Sequence, residues 1–241
     1  MEIKIKVTNE SVTSHLIELR KRLIRVVIVL RVAILIGAPF ASEIYNFIAS
    51  PLIGALPEGS SMIATQVTSP FMAPFKLLIF SAALVVMPYF FYEIWMFISP
   101  GLYTNEKKFA GPLMLSTIAL FVLGACFAYF IVCPIIFTFF IGIAPDSVGV
   151  MTDISQYLNF VIKLIFAFGI AFEMPIATYL IVSAGIAKKS TLANSRPYLI
   201  LLFFILGMLL TPPDSFSQLF LAIPMWILFE LGLLISIDKK L

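Results

Sequence analysis

Of 241 residues, 61% are hydrophobic and 12% charged, with a mean hydropathy of +1.07, which excludes an ordinary soluble globular domain. The net charge of +3 reports membrane topology, and no nucleic-acid partner is expected. Thirteen of the sixteen Lys and Arg residues fall in alternate gaps between apolar segments: the N-terminus, residues 101–108, residues 186–196 and the tail. Because basic loops resist translocation, this alternation predicts an all-α, multi-pass membrane protein with both termini in the cytoplasm.

Residues 1–25 are charged and hold no apolar h-region, so no cleaved signal peptide is expected. Within them, Leu16, Leu19 and Leu23 recur at helical spacing, predicting an amphipathic segment on the membrane surface. A sliding window of about 19 residues then gives six spans in one membrane domain: 26–44, 71–98, 109–141, 157–186, 197–210 and 216–237. The fifth has only 14 residues. At about 1.5 Å per residue it reaches about 21 Å, short of the roughly 30 Å of hydrocarbon. Thr211-Pro212-Pro213-Asp214 joins it to the sixth in a tight hairpin, and such a mismatch thins the bilayer or draws in a partner.

Most spans hold proline: Pro39, Pro74, Pro88, Pro112, Pro134, Pro175 and Pro224. Two readings stand, ordinary transmembrane enrichment or fixed bends that shape a concave wall. Cys126 and Cys133 lie in apolar sequence and read as buried free thiols.

Seven charged positions need an explanation. Glu173, in the fourth span, requires a partner, water or a cavity, and Gln218 is the nearest polar candidate on another helix. Glu230 pairs with a basic residue at the cytoplasmic end. Arg31 snorkels toward the cytoplasm, and Lys76 and Lys163 toward the outside. On the cytoplasmic face Glu18 and Glu106 stand among bases, and spacing alone favours local salt bridges for both.

The motifs HLIELRKRL (15–23), YEIWMFISPGLYTNEKK (92–108), AYFIVCPI (128–135), AFGIAFEMP (167–175) and TPPDSFSQLFLAIPMWILFE (211–230) closely resemble the TatC family, the core membrane subunit of the twin-arginine translocase. The resemblance implies six helices in a glove-like arrangement, with the fifth and sixth short, that recognises signal peptides bearing consecutive arginines. It implies that Glu18 and Glu106 bind those arginines, with Phe97, Pro100 and Tyr103 supporting the surface and Arg20 at the N-terminal basic position. It also implies that Pro51, in the first outward loop, Pro88 and Asp214 matter for structure or transport. Thr211, Gln218 and Glu173 would contact the single-span partners TatA and TatB in a multimeric complex. The implied location is a prokaryotic cytoplasmic (inner) membrane, and the implied energy source is the proton-motive force.

The competing class is a proton-coupled small-solute transporter built on Glu173, disfavoured by the absence of a visible repeat and by a single mid-span carboxylate. Enzymatic function is not expected. The only histidine is His15, and neither G-x-S-x-G, paired intramembrane aspartates nor a metal-ligand set appears, so no cofactor is expected.

Overall fold

The computed structural model describes residues 9–54, 62–98, 107–143, 151–210 and 215–236. Glu106, Pro100, Tyr103, Thr211 and Asp214 lie outside these residues.

Helix α1 runs from Asn9 to Gly37 without interruption, since no proline or glycine intervenes before its last residue. The expected surface segment is therefore the first part of the same helix that forms the first span. At Gly37-Ala38-Pro39 the backbone loses a donor, tightens into a 3-10 turn over Ala38–Phe40, and resumes as α2, Ala41–Ile53. Pro51 lies inside α2, so its placement in a loop is corrected.

Helix α3, Ser69–Ile98, carries Pro74 and Pro88. The third span is composite. Helix α4, Lys107–Phe127, passes through a five-residue π-turn, Ala128–Val132, into α5, Cys133–Ile143. Pro134 cannot donate to the carbonyl of Phe130, and the widened turn just before it takes up the missing bond. The fourth span breaks between α6, Ile154–Ala171, and α7, Met174–Ser183, where Pro175 leaves the carbonyl of Ala171 without its helical donor. Gly185, at φ 72°, ends that span in the left-handed region, and the short α8, Lys189–Asn194, follows.

Helix α9, Arg196–Leu210, has 15 residues and reaches about 22 Å, short as the sequence predicts. Helix α10, Ser215–Ile235, has 21 and reaches about 31 Å, so only the fifth span is short and the expectation of a short sixth is corrected. Among the described residues five helical stretches are long and apolar enough to cross a membrane, with Arg196–Leu209 a shorter apolar sixth.

The core is aromatic and aliphatic: Phe121, Phe168, Phe203, Leu77, Ile136, Leu158, Leu164 and Leu221 are fully buried. Helix α1 packs on α3 and leaves Leu23, Ile24, Ile28, Leu35 and Ile36 exposed, as expected of a helix against lipid. Cys126 is exposed and Cys133 buried, which corrects the first of the two thiols.

The described residues just before α3 and just before α6 are pinned together. The amide of Ile63 donates to the carbonyl of Thr152 at 3.0 Å, and that of Ile154 to Ile63 at 2.9 Å. Asp153 caps α6 by accepting from the Gln156 amide at 2.9 Å, and its other oxygen accepts from the Thr65 hydroxyl at 2.6 Å and amide at 3.0 Å. These donors, the Thr65 hydroxyl first, lower the Asp153 carboxyl to about 2. A depressed carboxyl stabilises the fold above its unfolded value of about 3.9 and loses that contribution as pH falls toward its folded value. Acid titration of the thermal midpoint should therefore show a loss between about pH 4 and 2 that Asp153→Asn lacks. An unchanged slope in the variant would remove Asp153 from the account.

Candidate functional site

α1 and the last turns of α3 run side by side and carry a charged cluster. Arg22 lies one helical turn after Glu18 on α1. Its Nε and Nη2 donate to Glu18 Oε1 at 3.2 and 2.6 Å. Its remaining nitrogen, Nη1, crosses to α3 and donates to Glu93 Oε2 at 3.0 Å. Arg25, three residues further on and so on the same helical face, donates through Nη1 to Glu93 Oε1 at 3.0 Å. The Tyr89 hydroxyl, a turn before Glu93, donates to the same oxygen at 2.7 Å.

Two carboxylates and two guanidiniums thus balance. Their exposures differ: the Glu93 side chain is 3% exposed and that of Glu18 41%. A carboxylate buried so far needs its donors, and Glu93 has three. Next to the cluster the rings of His15 and Phe97 meet with centroids 5.1 Å apart, which sets Phe97 beside the Glu18 turn. Arg20 is exposed, and its position two residues from both Glu18 and Arg22 turns it off their face. Pro88 stands a turn ahead of Glu93 and removes the amide bond to the Leu84 carbonyl, at the start of the stretch that carries Tyr89 and Glu93.

Glu93 escaped the sequence reading, although it sits in plain view in Tyr92-Glu93-Ile94. Helical spacing of Arg22 and Arg25, both at the edge of an apolar segment, was the available sign that a counter-charge was needed.

A second polar group gathers around Glu173 at the α6–α7 break. Thr117 of α4 lies beside its carboxyl, and the Thr117 hydroxyl accepts from Trp95 Nε1 of α3 at 3.2 Å. Its Oε1 is buried with no hydrogen-bond partner among the described residues. Gln218 is not the neighbour that the sequence suggested. A Cβ on Gly232 would come 2.8 Å from Pro175 Cα, so the last turn of α10 lies against the start of α7. Gln218 is 14 residues earlier in α10, about 21 Å along its axis, where it packs on Gly207 of α9.

Elsewhere, Arg196 grips Glu230 with two parallel bonds, Nε to Oε1 at 2.6 Å and Nη2 to Oε2 at 2.9 Å, which ties the start of α9 to α10 as the sequence predicted for Glu230. Arg31 and Lys163 are exposed, while Lys76 hydrogen-bonds Asn159. No group of three metal-ligating side chains occurs among the described residues.

A bundle of bent apolar helices, with an ionised cluster where its first and third helices meet, defines a multi-pass membrane protein. Residues 14–224 match the model of the Sec-independent protein translocase protein family TatC. The chain belongs to the TatC family. It is 52% identical over 219 residues to the TatC protein of Azotobacter chroococcum mcd 1, covering 91% of this chain and 86% of that one. Against TatC of Escherichia coli K12 the identity is 47% over 223 residues, covering 92% and 86%. Two crystal structures titled as the twin-arginine translocase receptor TatC superimpose with TM-scores of 0.81 and 0.84. Each is 36% identical, covering 91% and 94% of this chain and 96% and 100% of theirs. The protein is thus a component of a protein-translocating membrane machine.

Proposed function

We propose that this subunit is the receptor for signal peptides bearing consecutive arginines, and the scaffold on which folded cargo is exported across a prokaryotic cytoplasmic membrane using the proton-motive force. One observation carries the reading: Glu18 is a half-exposed carboxylate at the cytoplasmic end of α1 that already accepts two bonds from a guanidinium. A planar guanidinium can present two donors to a carboxylate at once, and an ammonium cannot reproduce that fork. Glu106 would supply the second carboxylate, with Pro100 and Tyr103 on the same loop. In this reading α9 is the fifth of six crossings and the bent helices form the concave wall.

The single-span partners TatA and TatB would pack against the α9–α10 hairpin. Its α9 is too short for the bilayer, and Leu201, Leu209, Ile223, Trp226 and Leu234 are exposed on it. Thr211, Gln218 and Glu173 are the polar contacts offered to them. The proton-coupled solute transporter is supported less well, because Glu93 is committed to two arginines and so gives Glu173 no second titrating partner.

A fluorescent peptide with two consecutive arginines, titrated against the full chain in detergent, tests the proposal. Glu18→Gln and Glu106→Gln should each weaken binding about tenfold or more, since each removes a charged acceptor. Binding indifferent to both substitutions would sink it.

A further inference from the structure

Glu18 is not an empty receptor carboxylate. Arg22 occupies it, and Arg22 has a second place to go. Of the nitrogens of one guanidinium, Nε and Nη2 face the half-exposed Glu18 and Nη1 faces the buried Glu93. Glu93 is held in turn by Arg25 and Tyr89, so it stays fixed whatever happens at Glu18. The Arg22 side chain is itself only 13% exposed, and a guanidinium so placed needs a carboxylate at all times. With Glu93 beside it, losing Glu18 does not orphan it.

We propose that Arg22 is a resident occupant of Glu18, displaced when an arginine of the peptide arrives, and that Glu93 is the positioning residue that keeps the displaced Arg22 paired. This rests on the reading of Glu18 as an arginine-binding group given above. The exchange replaces one guanidinium on Glu18 by another of the same geometry. It leaves Arg22 wholly on α3, so occupancy of the receptor carboxylate is coupled to the contact between α1 and α3. A purely structural staple between the two helices would need Glu93 and the arginines, but not a guanidinium shared with an exposed carboxylate.

The two roles predict opposite signs. If Arg22 competes for Glu18, Arg22→Gln frees the carboxylate and the twin-arginine peptide binds about threefold tighter or more. Glu93→Gln leaves Arg22 dependent on Glu18 alone, so the peptide should bind several-fold more weakly. Adding Arg22→Gln to Glu93→Gln should restore binding to at least the wild-type level, because the competitor is gone. A staple predicts weaker binding for all three, with the double variant weakest.

The experiment is peptide anisotropy on the full chain in detergent for wild type, Glu18→Gln, the two single variants and the double, with the thermal midpoint of each recorded. Arg22→Gln keeps the bonds of Glu93 to Arg25 and Tyr89, so it carries the test should Glu93→Gln fail to fold. Wild-type binding that depends on Glu18, with Arg22→Gln no tighter, would overturn the exchange and leave the receptor reading intact. Wild-type binding that does not depend on Glu18 would overturn both.

Discussion

Gly124→Val is expected to abolish recovery of folded protein from the membrane. Gly124 faces α6, and a Cβ there would lie 2.5 Å from the carbonyl oxygen of Phe168 and 2.9 Å from the side chain of Phe172. A backbone oxygen cannot rotate away, so the two helices must separate. That separation would strip Phe121, Phe127 and Phe168 of their packing: Phe127 has ring contacts to both Phe168 and Phe172 with centroids 5.5 Å apart. Overpacking usually costs about 1–3 kcal/mol, and a clash against backbone with a β-branched side chain belongs above roughly 3 kcal/mol. Gly142→Ala is the control, because nothing lies within 4 Å of a Cβ at that position. In a helix the added methyl should stabilise by about 0.5–1 kcal/mol. Size-exclusion profiles and thermal midpoints in detergent separate the two outcomes. A monodisperse Gly124→Val with an unchanged midpoint would mean that the α4–α6 contact is not needed for the fold.

Spans were legible because hydropathy and length act before any packing is decided. The short fifth span needed only a residue count, and the bond of Glu230 to Arg196 needed only a base at the same membrane depth. The breaks at Pro134 and Pro175 follow from missing amide donors, though not the form they take: a π-turn in one case and a full interruption in the other. What stayed hidden depends on which faces meet. Gln218 and Glu173 are both polar and both within the spans, yet the lengths of α7 and α10 alone do not say that Gly232 lies against Pro175. Thr117, which lies beside Glu173, is an unremarked residue of an apolar run until α4 is placed beside α6. Pro51 looked like a loop residue because a proline after an apolar segment normally ends it, whereas α2 continues past it for two more residues. Glu93 is the clearest loss. Its charged partners are 68 and 71 residues away in the chain, so no local pattern reports that it pairs with both.

A peptide with its two arginines changed to lysine is expected to bind this protein on the order of a hundredfold more weakly, roughly tenfold for each lost fork. Charge is unchanged by that exchange, so long-range attraction to the protein is unchanged too. The difference arises at contact. At Glu18 the newcomer must take over an oxygen that holds Arg22 through Nε and Nη2, at 3.2 and 2.6 Å. An arriving guanidinium can match both bonds. An ammonium presents single, more strongly hydrated donors, and so leaves the resident arginine ahead. The pre-occupied carboxylate therefore acts against lysine more than an empty one would. Two measurements check this: the ratio of affinities for the two peptides at fixed ionic strength, and the same ratio in Arg22→Gln. In wild type the ratio should be on the order of a hundred, and it should shrink when the resident arginine is removed. Because both peptides carry the same charge, raising the salt concentration should weaken both alike and leave the ratio nearly constant. Equal affinities for the two peptides would mean that fork geometry plays no part, and that recognition at this face rests on charge alone.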